Sequence, residues 1–260
     1  MDFKSIIPGK SISLFVKNIL VFEEQEKTQK TVLPFFADGY PGLMFQQTEN
    51  GLLVNPHNKR MPSFFLYGQT IKPIELVMTG TYKLIIFQLY PFVLKSFFDV
   101  SPKDINDDCY DLQQVQSAIV IDTISKLNHS KQTADRIGII SSLLYFMFQE
   151  KRTLLDYKIN QAIKIIIDNK GQTGVGHLCK QLHLNERTFE RRFVAAVGIS
   201  AKQFSRIIQF QQSLEQLTVK DYTKLSDIVY SNGFADQSHF IRVFKAFTGK
   251  SPKKFVPVTG

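Results

Sequence analysis

The amino-acid sequence predicts an α+β chain: a mostly-β, barrel-like N-terminal domain with a helical segment over residues 1–150, then an all-α domain over residues 151–260. Three observations lead there. Short apolar runs bounded by turn residues fill roughly the first 110 positions. Apolar residues three and four apart take over beyond them, and a 20-residue pattern near the C-terminus occurs twice. A length of 260 residues suffices for two domains with buried cores, and 43% apolar with 21% charged residues excludes a disordered or fibrous chain.

In the first part, Leu43–Phe45, Leu52–Val54, Phe64–Tyr67, Glu75–Met78 and Tyr82–Leu89 read as strands. The turns between them are Asp38-Gly39, Pro41-Gly42, Glu49-Asn50-Gly51 and Thr79-Gly80. Leu84-Ile85-Ile86-Phe87 has the continuous apolar character of a strand buried on both faces, although so short a run also fits a helix. Ser101-Pro102-Lys103-Asp104 reads as a helix start, with serine as cap and proline at the first helical position. From Leu112 to Glu150 the spacing of Ile137, Ile140, Leu143, Leu144, Met147 and Phe148 gives one broad apolar helix face, suited to packing on the β-module or to a dimer seam.

The domain boundary is expected near Glu150–Asp156. Beyond it, Ile159, Ala162, Ile163, Ile166 and Ile167 mark a helix that Asn169-Lys170-Gly171 ends. A longer helix runs over Ala201–Leu217, with Ser200 as cap and Gln203 completing a capping box. Charge divides at the same boundary. Residues 1–150 carry 14 Lys/Arg and 15 Asp/Glu; residues 151–260 carry 18 and 8, a net of +10 within a chain of +9. A basic excess confined to one domain concentrates a polyanionic partner there.

The repeat aligns NERTFERRFVAAVGISAKQF (residues 185–204) with DQSHFIRVFKAFTGKSPKKF (residues 236–255), and 8 of the 20 positions are identical. Each copy opens on a helix cap, Asn185 or Asp236, and places two phenylalanines at i, i+4. An arginine, Arg191 or Arg242, lies on another face, and Gly198 or Gly249 stops the helix. With the short amphipathic segments upstream, Val175–Leu184 and Leu225–Asn232, each copy is helix, tight turn, helix; Gly233 and Phe234 supply the second turn and its apolar plug. Such a unit can lay its second helix in a DNA major groove.

The stretch from Ile228 to Lys245, with Gly233-Phe234, Asp236, Ser238-His239-Phe240, Arg242 and Phe244-Lys245, followed by Gly249-Lys250-Ser251-Pro252, closely resembles the signature of AraC/XylS-type helix-turn-helix transcription regulators. The resemblance covers about residues 155–257 as a tandem helix-turn-helix domain. More loosely, residues 1–110 resemble the β-barrel effector domains that precede it, through Gly68-Gln69-Thr70 and the Pro91–Phe98 region. It implies two recognition helices, about Glu186–Val197 and Gln237–Phe247, entering successive major-groove segments. Base-reading residues carried over are Arg187, Glu190 and Arg191 in the first, and Gln237, Ser238 and Arg242 in the second. Phosphate contacts fall to Asn185, Arg192, Ser200, Lys202, His239, Lys245, Lys253 and Lys254. Two departures from the pattern are the glycines Gly174 and Gly176 at the first short helix and the absence of an arginine after Phe255, in Val256-Pro257-Val258.

The implied partners are double-stranded DNA, RNA polymerase, an unidentified small-molecule effector and a second copy of the chain in a homodimer. No cofactor, metal or membrane enters this reading. No apolar run reaches the ~18 residues of a membrane span, and Met1-Asp2-Phe3-Lys4 soon followed by Pro8-Gly9-Lys10 lacks a signal-peptide core. Cys109 and Cys179 stand in no paired motif, so a reducing cytoplasm is expected. His177, Cys179 and His183 do not match zinc spacing. A metal enzyme on a cupin-like barrel, tethered to DNA, would need a histidine triad, and residues 1–110 hold only His57. Non-specific nucleoid binding by the basic half is the other alternative, and it predicts no discrimination between sequences.

Overall fold

The structure is a computed structural model and describes residues 1–219 and 222–255. The N-terminal part is an eight-stranded antiparallel sheet: β1 (Asp2–Ile6), β2 (Val16–Phe35), β3 (Gly42–Thr48), β4 (Leu52–Asn55), β5 (Lys59–Met61), β6 (Phe64–Tyr67), β7 (Ile74–Leu89) and β8 (Cys109–Asp111). The order is β1-β2-β7-β3-β6-β8, and β4 pairs with both β5 and β7. Because β7 pairs with β4 near its start and β3 near its end, the sheet folds over on itself like a barrel. Leu84 and Ile86 point into the enclosed apolar cluster, while Ile85 and Phe87 point to the opposite core, so the run is buried on both faces.

Two strand expectations change. Glu75–Met78 and Tyr82–Leu89 are one strand, and Thr79-Gly80 is no turn. Gly80 has φ +76° opposite a register shift in β2, and a Cβ there would stand 2.3 Å from the Glu49 carboxylate, which accepts the Thr81 N–H at 3.2 Å. A glycine bulge bends β7 without ending it. The 20-residue β2 was hidden by its charged centre, Glu23 to Lys27, on the part of a long ribbon that leaves the core.

Nine α-helices occur among the described residues: α1 (Val93–Phe98), α2 (Ala118–His129), α3 (Thr133–Lys151), α4 (Tyr157–Asp168), α5 (Val175–Leu182), α6 (Glu186–Val197), α7 (Ala201–Val219), α8 (Leu225–Ser231) and α9 (Gln237–Thr248). Pro102–Ile105 makes a single 3₁₀ turn in place of an α-helix, and the Ser101 side chain caps nothing. Ile140, Leu143, Leu144 and Met147 of α3 are buried, and Phe148 sets its ring 5.1 Å from Phe15, so this face packs on the β-part. Tyr145 and Phe146 remain exposed on the same helix. Arg136 lies buried over the Phe45 ring and donates to the Ser130 carbonyl at 2.6 Å. No described helix is long and apolar enough to cross a membrane.

One buried apolar cluster runs from Phe15 and Phe87 through α1 and α3 into Phe193, Phe204, Ile207 and Phe244. The seam is tied by hydrogen bonds as well. Asn106 Nδ2 donates to the Gly198 carbonyl at 2.9 Å, and Gln211 Nε2 donates to the Ala37 carbonyl. Gly39, at φ +82°, lies so close to α7 that a Cβ would come within 3.0 Å of Ile208. The Phe36 and Phe255 rings meet edge-on at 5.7 Å.

Candidate DNA interface

The two helical units, α5–α6 and α8–α9, are built alike down to the backbone. The Leu184 N–H donates to the Cys179 carbonyl and the Phe234 N–H to the Val229 carbonyl, both at 3.0 Å. These bonds close the first helix of each unit and hide the apolar residue that follows. His183 and Gly233 supply the positive φ, +51° and +73°. The second helices start on matching caps: Asn185 Oδ1 accepts the Thr188 N–H at 2.8 Å, and Asp236 Oδ1 accepts the His239 N–H at 2.7 Å. The Phe189 and Phe193 rings lie tilted 5.6 Å apart, the Phe240 and Phe244 rings meet edge-on at 5.6 Å, and all four are fully buried. Gly198 and Gly249 stop the two helices at φ +86° and +73°.

With the phenylalanine face turned inward, the opposite face is left to solvent. Arg187 and Arg191 on α6, and Gln237, Ser238 and Arg242 on α9, are exposed; Glu190 is half-buried. Lys202, Lys245, Lys253 and Lys254 are exposed around them. Asn185 is exposed, with its side chain turned to the cap. Ser200 is half-buried; its hydroxyl accepts the Gln203 N–H at 3.1 Å and caps α7. His239 is half-buried, edge-on to Phe234 at 5.7 Å, and its Nδ1 has no partner among the described residues.

Arg192 stands apart from this set. Its Nε and Nη2 bind both oxygens of Asp156 at 2.7 and 2.5 Å, tying α6 to the start of α4. Burial works against the Asp156 carboxylate, but the Arg192 guanidinium and the Ile159 N–H outweigh it and hold its pKa below the ordinary value. Arg206, one turn beyond Lys202 on α7, is also exposed and extends the basic stripe. The i, i+4 spacing of Lys202 and Arg206 was the signal for it. Val256-Pro257-Val258 lies outside the described residues.

The helix α7 joins the two recognition helices. Its 19 residues span about 28 Å at ~1.5 Å per residue, comparable with one turn of B-DNA. Among the described residues no cluster of His, Cys, Asp or Glu could hold a metal.

Comparison with known families agrees with this geometry. Residues 178–256 match the model of a helix-turn-helix domain, and residues 4–111 match a domain of unknown function (DUF6597). An uncharacterized HTH-type transcriptional regulator of Staphylococcus aureus is 23% identical over 167 residues, which cover 61% of this chain and 22% of the relative. The chain therefore spans about a fifth of the length of such relatives. The Msm operon regulatory protein of Streptococcus mutans is 30% identical over 98 residues, 37% of this chain and 35% of that protein. Among solved structures, ToxT of Vibrio cholerae is 14% identical and aligns over 91% of this chain and 96% of its own, with a TM-score of 0.46. The signature residues, the doubled unit and the matched domain model together place the C-terminal part of this chain in the AraC/XylS type of tandem helix-turn-helix domains.

Proposed function

We propose that the chain is a sequence-specific DNA-binding transcription regulator that reads two successive major-groove segments with α6 and α9, under control of its N-terminal sensing or dimerising domain. The observation that carries this reading is the doubled unit. Each copy buries its phenylalanines and exposes arginine or glutamine on the opposite face, within a domain of net +10. Arginine can bind guanine O6 and N7 in two-pronged fashion and glutamine can pair with adenine, so Arg187, Arg191, Gln237 and Arg242 are assigned to base edges. Ser238 fits either base, and Glu190 fits cytosine N4 or a partner arginine on its own helix. Lys202, Lys245, Lys253 and Lys254 are assigned to phosphates with Asn185, Ser200 and His239 at helix starts; Arg192 would join them only by leaving Asp156.

The N-terminal domain supports a sensing role through a cavity of about 630 Å³ inside the folded sheet. Phe35, Met44, Phe65 and Leu76 line its interior, and the Lys59–Asp108 ion pair stands at its edge. That size and lining suit a small, largely apolar molecule. Exposed Tyr145 and Phe146 on α3 suit a second copy of the chain. Regulation by binding, without chemistry, accounts for these features, and the reading places the protein with DNA and RNA polymerase in the cytoplasm.

In-vitro selection of duplex DNA by the purified chain, at two salt concentrations, tests the assignment. Enrichment of a motif with two blocks one helical turn apart is expected; recovery of no motif, with binding that only weakens with salt, would replace it by non-specific binding.

A further inference from the structure

A second cleft, of about 800 Å³, lies on the seam between the sheet and the helical domain. The Ala37–Tyr40 turn forms one wall, and Ile208, Gln211 and Glu215 of α7 form the other. Asp38 stands in this wall with one carboxylate oxygen accepting the Tyr40 N–H at 2.9 Å and the other accepting from Gln88 Nε2 at 2.6 Å. Its side chain is partly open to the cleft. Among the described residues, no cation lies within 4 Å of it. A carboxylate held so firmly in place without a counter-charge is an energetic liability that a cationic ligand would relieve.

We propose that this cleft is a binding site for a small aliphatic ammonium compound, its charged head on Asp38 with Glu215 opposite and its chain along Ile208. The proposal goes beyond DNA reading, and base contacts play no part in it. The walls provide both halves of such a ligand. Asp38 and Glu215 offer acceptors, the Tyr40 ring offers an aromatic surface, Ile167 and Leu214 continue the apolar wall, and the exposed Ile7 stands at the rim. Lys17 also borders the cleft and pairs with neither carboxylate within 4 Å. A ligand here touches the sheet and the helix that spaces the recognition helices at the same time, so its binding energy would hold the two domains together.

Protonation supplies the signature. Burial pushes the Asp38 carboxyl up to about 6, against the pull of the Tyr40 and Gln88 hydrogen bonds. The other ionisable groups around the turn are Tyr40, raised by burial and by Tyr90, Asp38 and Asp168; Tyr67 of β6, raised by burial and by Asp38; Tyr90 and Asp168 themselves; Lys17 from β2; and Glu215 from α7. An alkylammonium keeps its charge between pH 5 and 7.5, so the pH dependence of its binding reports the site. At pH 5 roughly one Asp38 in ten is ionised, and affinity should be about tenfold weaker than at pH 7.5.

The test is calorimetric titration of the full chain with n-butylammonium chloride and with n-butanol at both pH values. The expected result is saturable binding of the amine at pH 7.5, about tenfold weaker at pH 5, with no binding of the alcohol. Asp38→Asn should abolish the binding and Glu215→Gln should weaken it. If Asp38→Asn fails to fold, the pH dependence and Glu215→Gln decide. Absence of saturable amine binding, equal binding of the alcohol, or amine binding indifferent to both pH and Glu215→Gln would overturn the site. DNA selection without amine is unaffected by any of these outcomes, so failure here and failure of the regulator reading are separable.

Discussion

Gly198 and Gly249 occupy the same place in the two repeats, and alanine at each separates a local cost from an interdomain one. Both have positive φ, +86° and +73°, so an added Cβ costs about 1–2 kcal/mol in each, offset in part by ~0.4–1 kcal/mol from a stiffer unfolded chain. The surroundings differ. At Gly249 a Cβ would find its nearest neighbour, Pro73, at 3.9 Å, which is ordinary contact. At Gly198 it would stand 2.8 Å from the carbonyl carbon of Pro102 and 3.0 Å from the Lys103 nitrogen. Those are backbone atoms of a turn that cannot rotate away as a side chain can. Forcing them apart adds about 1–3 kcal/mol, as overpacking does elsewhere. Urea unfolding should therefore show a loss of about 1 kcal/mol for Gly249→Ala and about 2–4 kcal/mol for Gly198→Ala. The strained variant should also lose the Asn106–Gly198 hydrogen bond, giving faster amide exchange of residues 103–108. Equal losses in the two variants would refute the tight seam between α6 and that turn.

Other perturbations reach the interface and its supports. Arg242→Ala should cost about 1–3 kcal/mol on the selected operator and relax one base position, whereas Lys253→Ala should weaken all sequences alike and lower the salt slope by about one; fluorescence anisotropy across a salt series measures both. Phe210 is buried between Phe244 at 5.5 Å and Phe247 at 5.1 Å, so Phe210→Ala should destabilise the chain by ~3–5 kcal/mol in denaturant melts, and a loss below 1 kcal/mol would deny that packing. Asp156 has its pKa lowered in the folded chain, so its contribution is present above the unfolded value near 3.9 and fades as pH falls through the folded value. Asparagine preserves the cap on α4 and removes only the charge. Asp156→Asn should therefore destabilise at pH 7 by an amount that shrinks as pH falls through the folded value of Asp156; a penalty independent of pH would assign the effect to shape.

The helical domain was legible because its signals are local. Caps, i, i+4 phenylalanines and stop glycines act within a few residues, and α6 runs over the bounds expected, Glu186–Val197. The sheet was less so. Gly80 has the chemistry of a turn, yet its neighbours continue the ladder, and only the distant pairing of β2 with β7 reveals a bulge. Arg192 reads in the sequence as a phosphate contact, but a partner 36 residues away in sequence claims it. The cleft around Asp38 assembles residues from β1 to α7, which no window along the chain could bring together.

The continuous core has a further consequence for the spacer helix. At its N-terminal end α7 is clamped by the Gly39 turn against Phe204 and Ile208, and further along by Phe210 wedged among the α9 phenylalanines. A helix gripped at two points works as a fixed gauge. An operator with one base pair inserted between its two blocks carries the second block ~3.4 Å along and a tenth of a turn around the DNA axis. The rigid gauge cannot follow that rotation, so the distance between blocks would be selected as stringently as the bases inside them.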